Sequence, residues 1–265
     1  MGRHVTPKKS LGQHFLADAG IARKIAGSLT GHGNYGIVLE VGPGTGMLSR
    51  QLMEIDGFRW YGMDVDRESI AALREKHPEM ASRIIHADFL RCDFPALFGQ
   101  EPLALIGNFP YNISSQIVFK LLENRHQVPE MVGMFQKEVA LRIASPPGSK
   151  VYGILSVLTQ AFYRVELLFH VGPHVFVPPP RVDSTVIRCR RKENYHLGCN
   201  EKLFFSVVKT AFNQRRKTLR NSLRGMQLPW ESLPSHLPGE RPEQLGVDDF
   251  VLITRQLPSR PPLGE

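Results

Sequence analysis

The stretch Ile37-Val-Leu-Glu-Val-Gly-Pro-Gly-Thr-Gly46 is the most informative part of this 265-residue chain about its fold. Its apolar start predicts a buried strand, and Leu48, Leu52 and Ile55 follow at helical spacing. The three glycines between them allow a sharp turn and a close approach of the backbone to a ligand. A strand, a glycine turn and a helix in this order are typical of a nucleotide-binding loop. The third glycine comes one residue too early for the dinucleotide pattern G-x-G-x-x-G, which counts against a nicotinamide oxidoreductase.

The spacing Gly42-x-Gly44-x-Gly46, with Glu40 ahead of it, resembles the S-adenosylmethionine loop of class I methyltransferases. Asp64 lies 22 residues after Gly42, at the end of the next predicted strand. A carboxylate there can accept hydrogen bonds from both ribose hydroxyls of a nucleoside cofactor. Asp88 ends the third predicted strand, where it can meet the adenine amine of the cofactor. We therefore predict that Gly42, Gly44, Asp64 and Asp88 bind S-adenosyl-L-methionine.

Strand and helix patterns alternate along the first 190 residues. Strands are predicted at 37–42, 58–65, 83–87, 103–107 and 131–136, and helices at 113–124, 137–144 and 154–163. The runs 165–171 and 184–190 predict a closing hairpin with an antiparallel strand. Together with the resemblance of the loop, this predicts an α/β class I methyltransferase (Rossmann-like) fold with a mostly parallel seven-stranded sheet and helices on both faces.

An apolar helical stripe after Asn194 predicts a second, smaller domain. We expect a methyltransferase domain at 1–194 and an all-α RNA- or ribosome-binding domain at 195–265, with a disordered Pro-rich tail at 258–265.

The formal charge of +8 is concentrated in three segments. Residues 1–17, 181–192 and 202–230 carry +3, +4 and +7, so the rest of the chain is net acidic. Because 202–230 holds seven basic residues and no acid, a phosphate backbone is the favoured partner. No apolar run reaches the 18 or so residues of a membrane span, and no secretory signal is evident. Three scattered cysteines favour reduced thiols in a cytoplasmic protein, and the histidines form no metal-ligand pair.

Residues 107–112, Gly-Asn-Phe-Pro-Tyr-Asn, follow the fourth predicted strand. Asn108-Phe-Pro-Tyr111 resembles the N-x-P-Y motif of adenine amino-methyltransferases. An adenine amine is a poor nucleophile because its lone pair is delocalised into the ring. The Asn108 amide oxygen and the Phe109 carbonyl can accept from the amine hydrogens and favour a tetrahedral nitrogen. Pro110 fixes the backbone, and Tyr111 offers a ring for stacking on the extruded base.

Three further segments point to one family. They are Lys8–Leu16 (Lys-Lys-Ser-Leu-Gly-Gln-His-Phe-Leu), Phe176–Ser184 (Phe-Val-Pro-Pro-Pro-Arg-Val-Asp-Ser) and Ala211–Leu223, a basic helix with Asn-Gln-Arg-Arg-Lys at its centre. Together with the loop and the N-x-P-Y motif, they resemble the bacterial small-subunit ribosomal RNA adenine dimethyltransferases from Lys8 to about Phe250.

That resemblance implies the dimethylation of the exocyclic N6 of two adjacent adenosines, in a hairpin loop near the 3′ end of 16S rRNA within the 30S subunit. It implies that His14 and Leu16 contribute to the cofactor site, that Asn108 borders both cofactor and target, and that Tyr111 and Phe176 sandwich the flipped adenine. The predicted RNA-binding residues are Arg181, Arg215, Arg216, Lys217 and Arg220. We expect a cytoplasmic monomer without a metal, active in small-subunit biogenesis.

The departures from the family pattern are small. His14 stands where the family usually has Asn, and Asp64 stands where Glu is commoner. Phe109 stands where the family has Leu or Ile. Two alternatives remain open beside the nicotinamide enzyme. One is a 23S rRNA adenine dimethyltransferase of the macrolide-resistance type, which would not carry the basic C-terminal motif. The other is a non-catalytic ribosome-assembly factor, against which the intact Asn108, Tyr111 and Asp64 argue.

Overall fold

A computed structural model describes residues 6–8 and 11–258 of the chain, and it contains a seven-stranded sheet. The strands are β1 (Phe15–Leu16), β2 (Ile37–Val41), β3 (Arg59–Asp64), β4 (Ile84–His86), β5 (Leu103–Asn108), β6 (Glu130–Gln136), β7 (Tyr163–Val171), β8 (Phe176–Val177) and β9 (Ser184–Arg191). The order in the large sheet is β4-β3-β2-β5-β6-β9-β7. The pairs from β4 to β6 are parallel, whereas β9 is antiparallel to β6. The predicted mostly parallel sheet and its antiparallel closing strand are confirmed.

Helices follow most of the parallel strands, as crossover connections require. They are α1 (Ala19–Ala26), α2 (Met47–Met53), α3 (Arg67–Lys76), α4 (Phe94–Phe98), α5 (Ser114–Glu123), α6 (Lys137–Ala144), α7 (Ile154–Phe162), α8 (Glu201–Asn213), α9 (Leu219–Ser222) and α10 (Val247–Arg255). All five residues of β2 are buried, as expected for a central parallel strand covered on both faces. Side-chain caps fix several helix starts, including Asp18 for α1 and Asp66 for α3.

The chain divides into two compact units. The first comprises the chain up to Ala140 together with Val165–Arg191, and its core includes Leu39, Trp60 and Leu105. The second comprises Leu141–Arg164 together with the chain from Lys192 onward. The expectation that all of 1–194 forms one domain is therefore corrected: α7 packs with α8 and α10 in the second unit. The apolar residues of α7 are buried. In the same unit, the ring of Phe212 lies against the rings of both Tyr152 and Phe250.

The tail predicted to be disordered lies, from residue 259 onward, outside the described residues. Among the helices of 6–8 and 11–258, none has both the length and the apolar character needed to cross a bilayer.

Candidate cofactor and target site

The glycine turn follows β2 directly and has the backbone that its sequence requires. Gly42, Gly44 and Gly46 have φ values of +71°, +53° and +81°, in the left-handed region that favours glycine. A Cβ at Gly44 would lie 2.9 Å from the Phe15 ring, whereas a Cβ at Gly42 would meet nothing within 4 Å. Gly42 is therefore needed for its backbone conformation, and it leaves open space beside the turn.

A cavity of about 280 Å³ lies in the first unit at the carboxyl ends of the parallel strands. Most of the predicted site residues line it, namely His14, Gly42, Gly44, Asp64, Asp88, Asn108 and Tyr111. Leu16 is 5% exposed and borders a smaller recess, which it shares with Glu40 and the glycine turn. The structure thus brings His14 and Tyr111, which are about 100 positions apart in the sequence, to the same cavity.

The two predicted cofactor carboxylates have different surroundings. Asp64 is the last residue of β3, and its Oδ1 accepts a hydrogen bond from the Asp66 N–H at 2.9 Å. Burial raises the pKa of Asp64 above its ordinary value. Asp88 lies two residues beyond β4 with a side chain that is 44% exposed, and it accepts from the Leu90 N–H at 2.9 Å. Both carboxylates keep acceptor capacity for a ligand.

Glu40 is a buried acid that the sequence pattern marked only as part of the loop. Its side chain is 1% exposed, and its Oε2 accepts hydrogen bonds from Ser49 Oγ at 2.7 Å and Trp60 Nε1 at 2.9 Å. Burial raises the pKa of Glu40 to about 7, although both hydrogen bonds oppose this. Glu40 therefore ties the strand before the glycine turn to α2 and β3.

The amide of Asn108 is oriented by the N-terminal segment. Its Nδ2 donates to the His14 backbone carbonyl at 2.7 Å. Because a carbonyl can only accept, this contact assigns the nitrogen to His14 and leaves Oδ1 as the free acceptor of the amide. The next residue, Phe109, is anchored by its ring, which is 1% exposed and lies 5.1 Å from the Phe135 ring.

Tyr111 is held at both ends of its side chain. Its hydroxyl lies 2.6 Å from Ser184 Oγ, and its ring stacks on the His14 imidazole with centroids 5.5 Å apart and planes at 29°. His14 Nδ1 is 2.8 Å from the Pro178 carbonyl, so Nδ1 carries the proton and donates. Phe176 is only 2% exposed and pairs with Leu16 across β1 and β8. The sandwich of an adenine between Tyr111 and Phe176 stays a prediction, and the ring that lies against Tyr111 here is that of His14.

A contact that sequence reasoning missed fastens the N-terminal segment beside the cavity. Lys8 Nζ lies 2.6 Å from Asp66 Oδ1 and 3.1 Å from Glu68 Oε2, and Gln13 Nε2 donates to Asp66 at 3.3 Å. Gln13 also accepts from the Lys8 backbone N–H. Burial by itself would raise the pKa of Asp66, but hydrogen bonds from Lys8, Ser69 and Gln13 lower it to about 2. Nothing in the sequence indicated this pairing across 58 positions.

The predicted RNA-binding residues are mostly exposed but do not lie on one helix. Arg181 in the first unit and Arg216, Lys217 and Arg220 in the second are exposed. Arg215 is half-buried, donates to the Lys150 carbonyl at 2.7 Å and lies 3.7 Å from Glu243. The expected continuous basic helix is wrong, because α8 ends at Asn213 and Thr218 has extended backbone before α9. The basic residues 215–217 therefore lie on a turn.

Within residues 6–8 and 11–258, no group of three His, Cys, Asp or Glu side chains is arranged to hold a metal ion.

Comparison with known proteins agrees with the geometry. Residues 5–232 match the family model described as ribosomal RNA adenine dimethylase. A protein named ribosomal RNA small subunit methyltransferase A from Flavobacterium johnsoniae is 51% identical over 96% of this chain and 96% of its own length. Proteins of the same name from Cytophaga hutchinsonii and Bacteroides thetaiotaomicron are 50% and 52% identical, over 96% of this chain and 98% and 94% of their own lengths.

Two solved structures are similar over nearly the whole chain. A dimethyladenosine transferase from Plasmodium falciparum has a TM-score of 0.76 and 25% identity, covering 91% of this chain and 96% of that one. The 23S rRNA methyltransferase ErmE has a TM-score of 0.71 and 26% identity, covering 92% and 99%. The family match, the relatives and the fold agree with the motifs read from the sequence. The chain therefore belongs to the ribosomal RNA adenine dimethylase family and is an S-adenosylmethionine-dependent rRNA adenine dimethyltransferase.

Proposed function

We propose that this chain dimethylates the N6 atoms of two adjacent adenosines near the 3′ end of 16S rRNA, in the assembling small subunit. The observation that carries the proposal is the orientation of Asn108. Its amide nitrogen is occupied by the His14 carbonyl, and its oxygen remains as an acceptor at a cavity that Gly42 and Asp64 also line. The names of relatives about half identical to this chain support the small subunit as the substrate.

The residues around the cavity fit S-adenosylmethionine. The cavity volume of about 280 Å³ lies just below the range of about 300–1,000 Å³ for small-molecule sites. The open space beside Gly42 admits a ligand close to the backbone, Asp64 can hold the ribose hydroxyls, and Asp88 can meet the adenine amine. When bound, this cofactor supplies an electrophilic methyl group on a sulfonium.

The chain itself supplies positioning and electrostatic stabilisation. Asn108 Oδ1 and the Phe109 carbonyl accept from the target amine, so that its nitrogen becomes tetrahedral and directs its lone pair towards the methyl group. Tyr111 stacks on the extruded base, and its bond to Ser184 limits rotation of the ring. The methylated nitrogen loses its proton readily, so no strong base and no side-chain nucleophile are required.

The exposed basic residues supply affinity for the RNA backbone. We assign this role to Arg181, Arg216, Lys217 and Arg220, and a smaller part to Arg215 because Lys150 and Glu243 already engage it. We place the chain in the cytoplasm, where small subunits are assembled, and expect it to act as a monomer.

The likeness to ErmE makes methylation of 23S rRNA the second candidate. The test is transfer of tritiated methyl groups to unmethylated small-subunit particles and to 23S rRNA in parallel. We expect label in the small-subunit rRNA as dimethyladenosine. Label only in 23S rRNA would establish the second candidate, and label in neither RNA would indicate a non-catalytic assembly factor.

A further inference from the structure

The segment 88–93 lies between β4 and α4 and carries two residues that line the cofactor cavity, Asp88 and Leu90. Because β4 is an outer strand of the sheet and only three residues long, the segment has a neighbouring strand end on one side only. The segment folds back on itself: the Asp88 carbonyl accepts hydrogen bonds from the backbone N–H groups of both Arg91 and Cys92 at 3.0 Å. The position of Asp88 therefore depends on what holds Cys92.

A lysine from another helix holds Cys92. Lys120 on α5 donates from its Nζ to the Cys92 backbone carbonyl at 2.7 Å. The same ammonium lies 5.6 Å from the centroid of the Phe94 ring, which is buried and lies 5.8 Å from the Phe89 ring. Lys120 thus fastens the end of the segment with a charge-assisted hydrogen bond and a cation–π contact.

The helix α5 is a firm base for this contact. Ile117 and Leu121, on either side of Lys120 in the sequence, are both fully buried. At the start of the helix, Ser114 Oγ donates to the Tyr111 carbonyl at 3.0 Å, so α5 is also joined to the N-x-P-Y motif. Lys120 itself does not line the cavity, and its effect on a ligand therefore has to act through the segment that it holds.

We propose that Lys120 is a positioning residue for the cofactor and acts through the segment 88–93. While Lys120 holds Cys92, the Asp88 carboxylate stays where it can accept a hydrogen bond from the adenine amine. Lys120 in this way gives the site its preference for a cofactor that carries this amine. The inference rests on the role proposed for Asp88 and deepens it, because it names the residue that makes the contact selective.

Two ligands separate this role from a general loss of structure. They are S-adenosylhomocysteine and its analogue with hydrogen in place of the adenine amine. Because a hydrogen bond to a charged group changes affinity about tenfold or more, the wild type should prefer S-adenosylhomocysteine by at least about tenfold. In Lys120→Met, the Kd of S-adenosylhomocysteine should rise about fivefold and that of the analogue should stay within about twofold, so that most of the preference is lost.

Three further variants control this result. Lys120→Arg keeps a charged donor for the Cys92 carbonyl and should restore the preference to within about twofold of the wild type. Lys24→Met is the matched control, because Lys24 also places its ammonium over a ring, that of Phe169 at 4.1 Å, and does not line the cavity. It should keep the wild-type preference. Asp88→Ala should abolish the preference, and adding Lys120→Met to it should cause no further loss.

Equal weakening of both ligands in Lys120→Met would overturn the proposal, because Lys120 would then only stabilise the fold. If Lys120→Met does not bind the analogue at all, Lys120→Gln takes its place, with the same two outcomes. A wild type that binds the two ligands equally would contradict the role of Asp88 and the proposal with it. Methyl transfer from S-adenosylmethionine to small-subunit particles by the wild type, measured in parallel, tests the proposed function separately.

Discussion

The cavity of the first unit and the basic turn of the second unit are built in opposite ways. In the cavity, the polar groups have fixed partners: Asn108 donates to His14, and the Tyr111 hydroxyl bonds to Ser184. On the turn, Arg216 and Lys217 are exposed to solvent. The groups of the cavity act on a ligand at hydrogen-bond distance. The charges on the turn act on a partner at longer range, through an electrostatic field that salt screens.

Each region therefore controls a different property of the enzyme. Groups held in a packed cavity set the rate of the chemical step, because misplacing them by a fraction of an ångström changes the reacting geometry. Exposed cations attract the RNA backbone and set affinity and its salt dependence. Variants in the two regions should therefore separate the rate of the chemical step from the affinity for RNA.

Replacing Asn108 with alanine should have the largest effect. Asn108→Ala removes the oriented acceptor, and loss of one such electrostatic group lowers kcat by about 10²–10³-fold. Single-turnover methyl transfer gives the rate, and binding of particles should be unchanged. Asn124→Ala is the control, because the Asn124 side-chain amide donates to the Lys120 carbonyl at the end of α5 and does not line the cavity, and this variant should remain fully active. Near-normal turnover of Asn108→Ala would remove Asn108 from the chemistry.

Reversing two charges on the turn should change affinity instead. Arg216→Glu with Lys217→Glu should weaken binding of small-subunit particles about tenfold and reduce the slope of log K against log salt by about 1–2. Binding measured from 50 to 300 mM salt gives both values. Lys76→Glu with Arg83→Glu reverses two exposed charges of the first unit outside the cavity and should have little effect. If the slope does not change, the RNA contacts lie elsewhere.

Breaking the contact between Lys8 and Asp66 should weaken cofactor binding. Lys8→Met releases the segment that lines one side of the cavity, and because the ammonium of the ion pair is partly exposed to solvent we expect the Kd to rise by no more than about fivefold. Titration with S-adenosylhomocysteine gives the Kd, while kcat at saturating cofactor should be unchanged. Lys8→Arg keeps the charge and should restore tight binding; equal losses in both variants would contradict an ionic role.

The smallest effect should come from Glu40, which makes the free energy of unfolding depend on pH. Because burial raises the pKa of Glu40 in the folded state to about 7 from its ordinary value of 4.5, the unfolded state binds fewer protons between these values. Glu40 therefore lowers the free energy of unfolding as pH rises from about 4.5 to 7. In the Glu40→Gln variant, the free energy of unfolding should not show this decrease between about pH 4.5 and 7. Its Tm should differ from that of the wild type by a few degrees at pH 8, as measured by thermal unfolding. A parallel pH profile would place the Glu40 pKa near its ordinary value.

Local patterns in the sequence predicted the parts of the fold that depend on short stretches. The apolar run of β2, the glycines after it and Asp64 at the end of β3 were all predicted, because strand, turn and carboxylate lie within one βαβ unit, β2-α2-β3. The short helices α1 and α4 were not predicted, although Asp18 and Asp93 cap them. Their patterns are too short for a period of 3.6 residues to be evident.

Features that depend on distant residues could not be predicted. The pairing of Lys8 with Asp66 and the stacking of His14 on Tyr111 join segments far apart in sequence. The assignment of 141–164 to the second unit depends likewise on packing against helices that come later in the chain. The residues of the candidate site were named from motifs, but the partners that orient them came only from the tertiary structure.

The most direct test of the division between chemistry and affinity is single-turnover methyl transfer as particle concentration is raised to saturation. The Arg216→Glu, Lys217→Glu double variant should reach the wild-type rate at saturation. Asn108→Ala should stay about 10²–10³-fold slower at every concentration. A charge-reversed variant that stays slow at saturation, or an Asn108→Ala variant that recovers, would contradict this division.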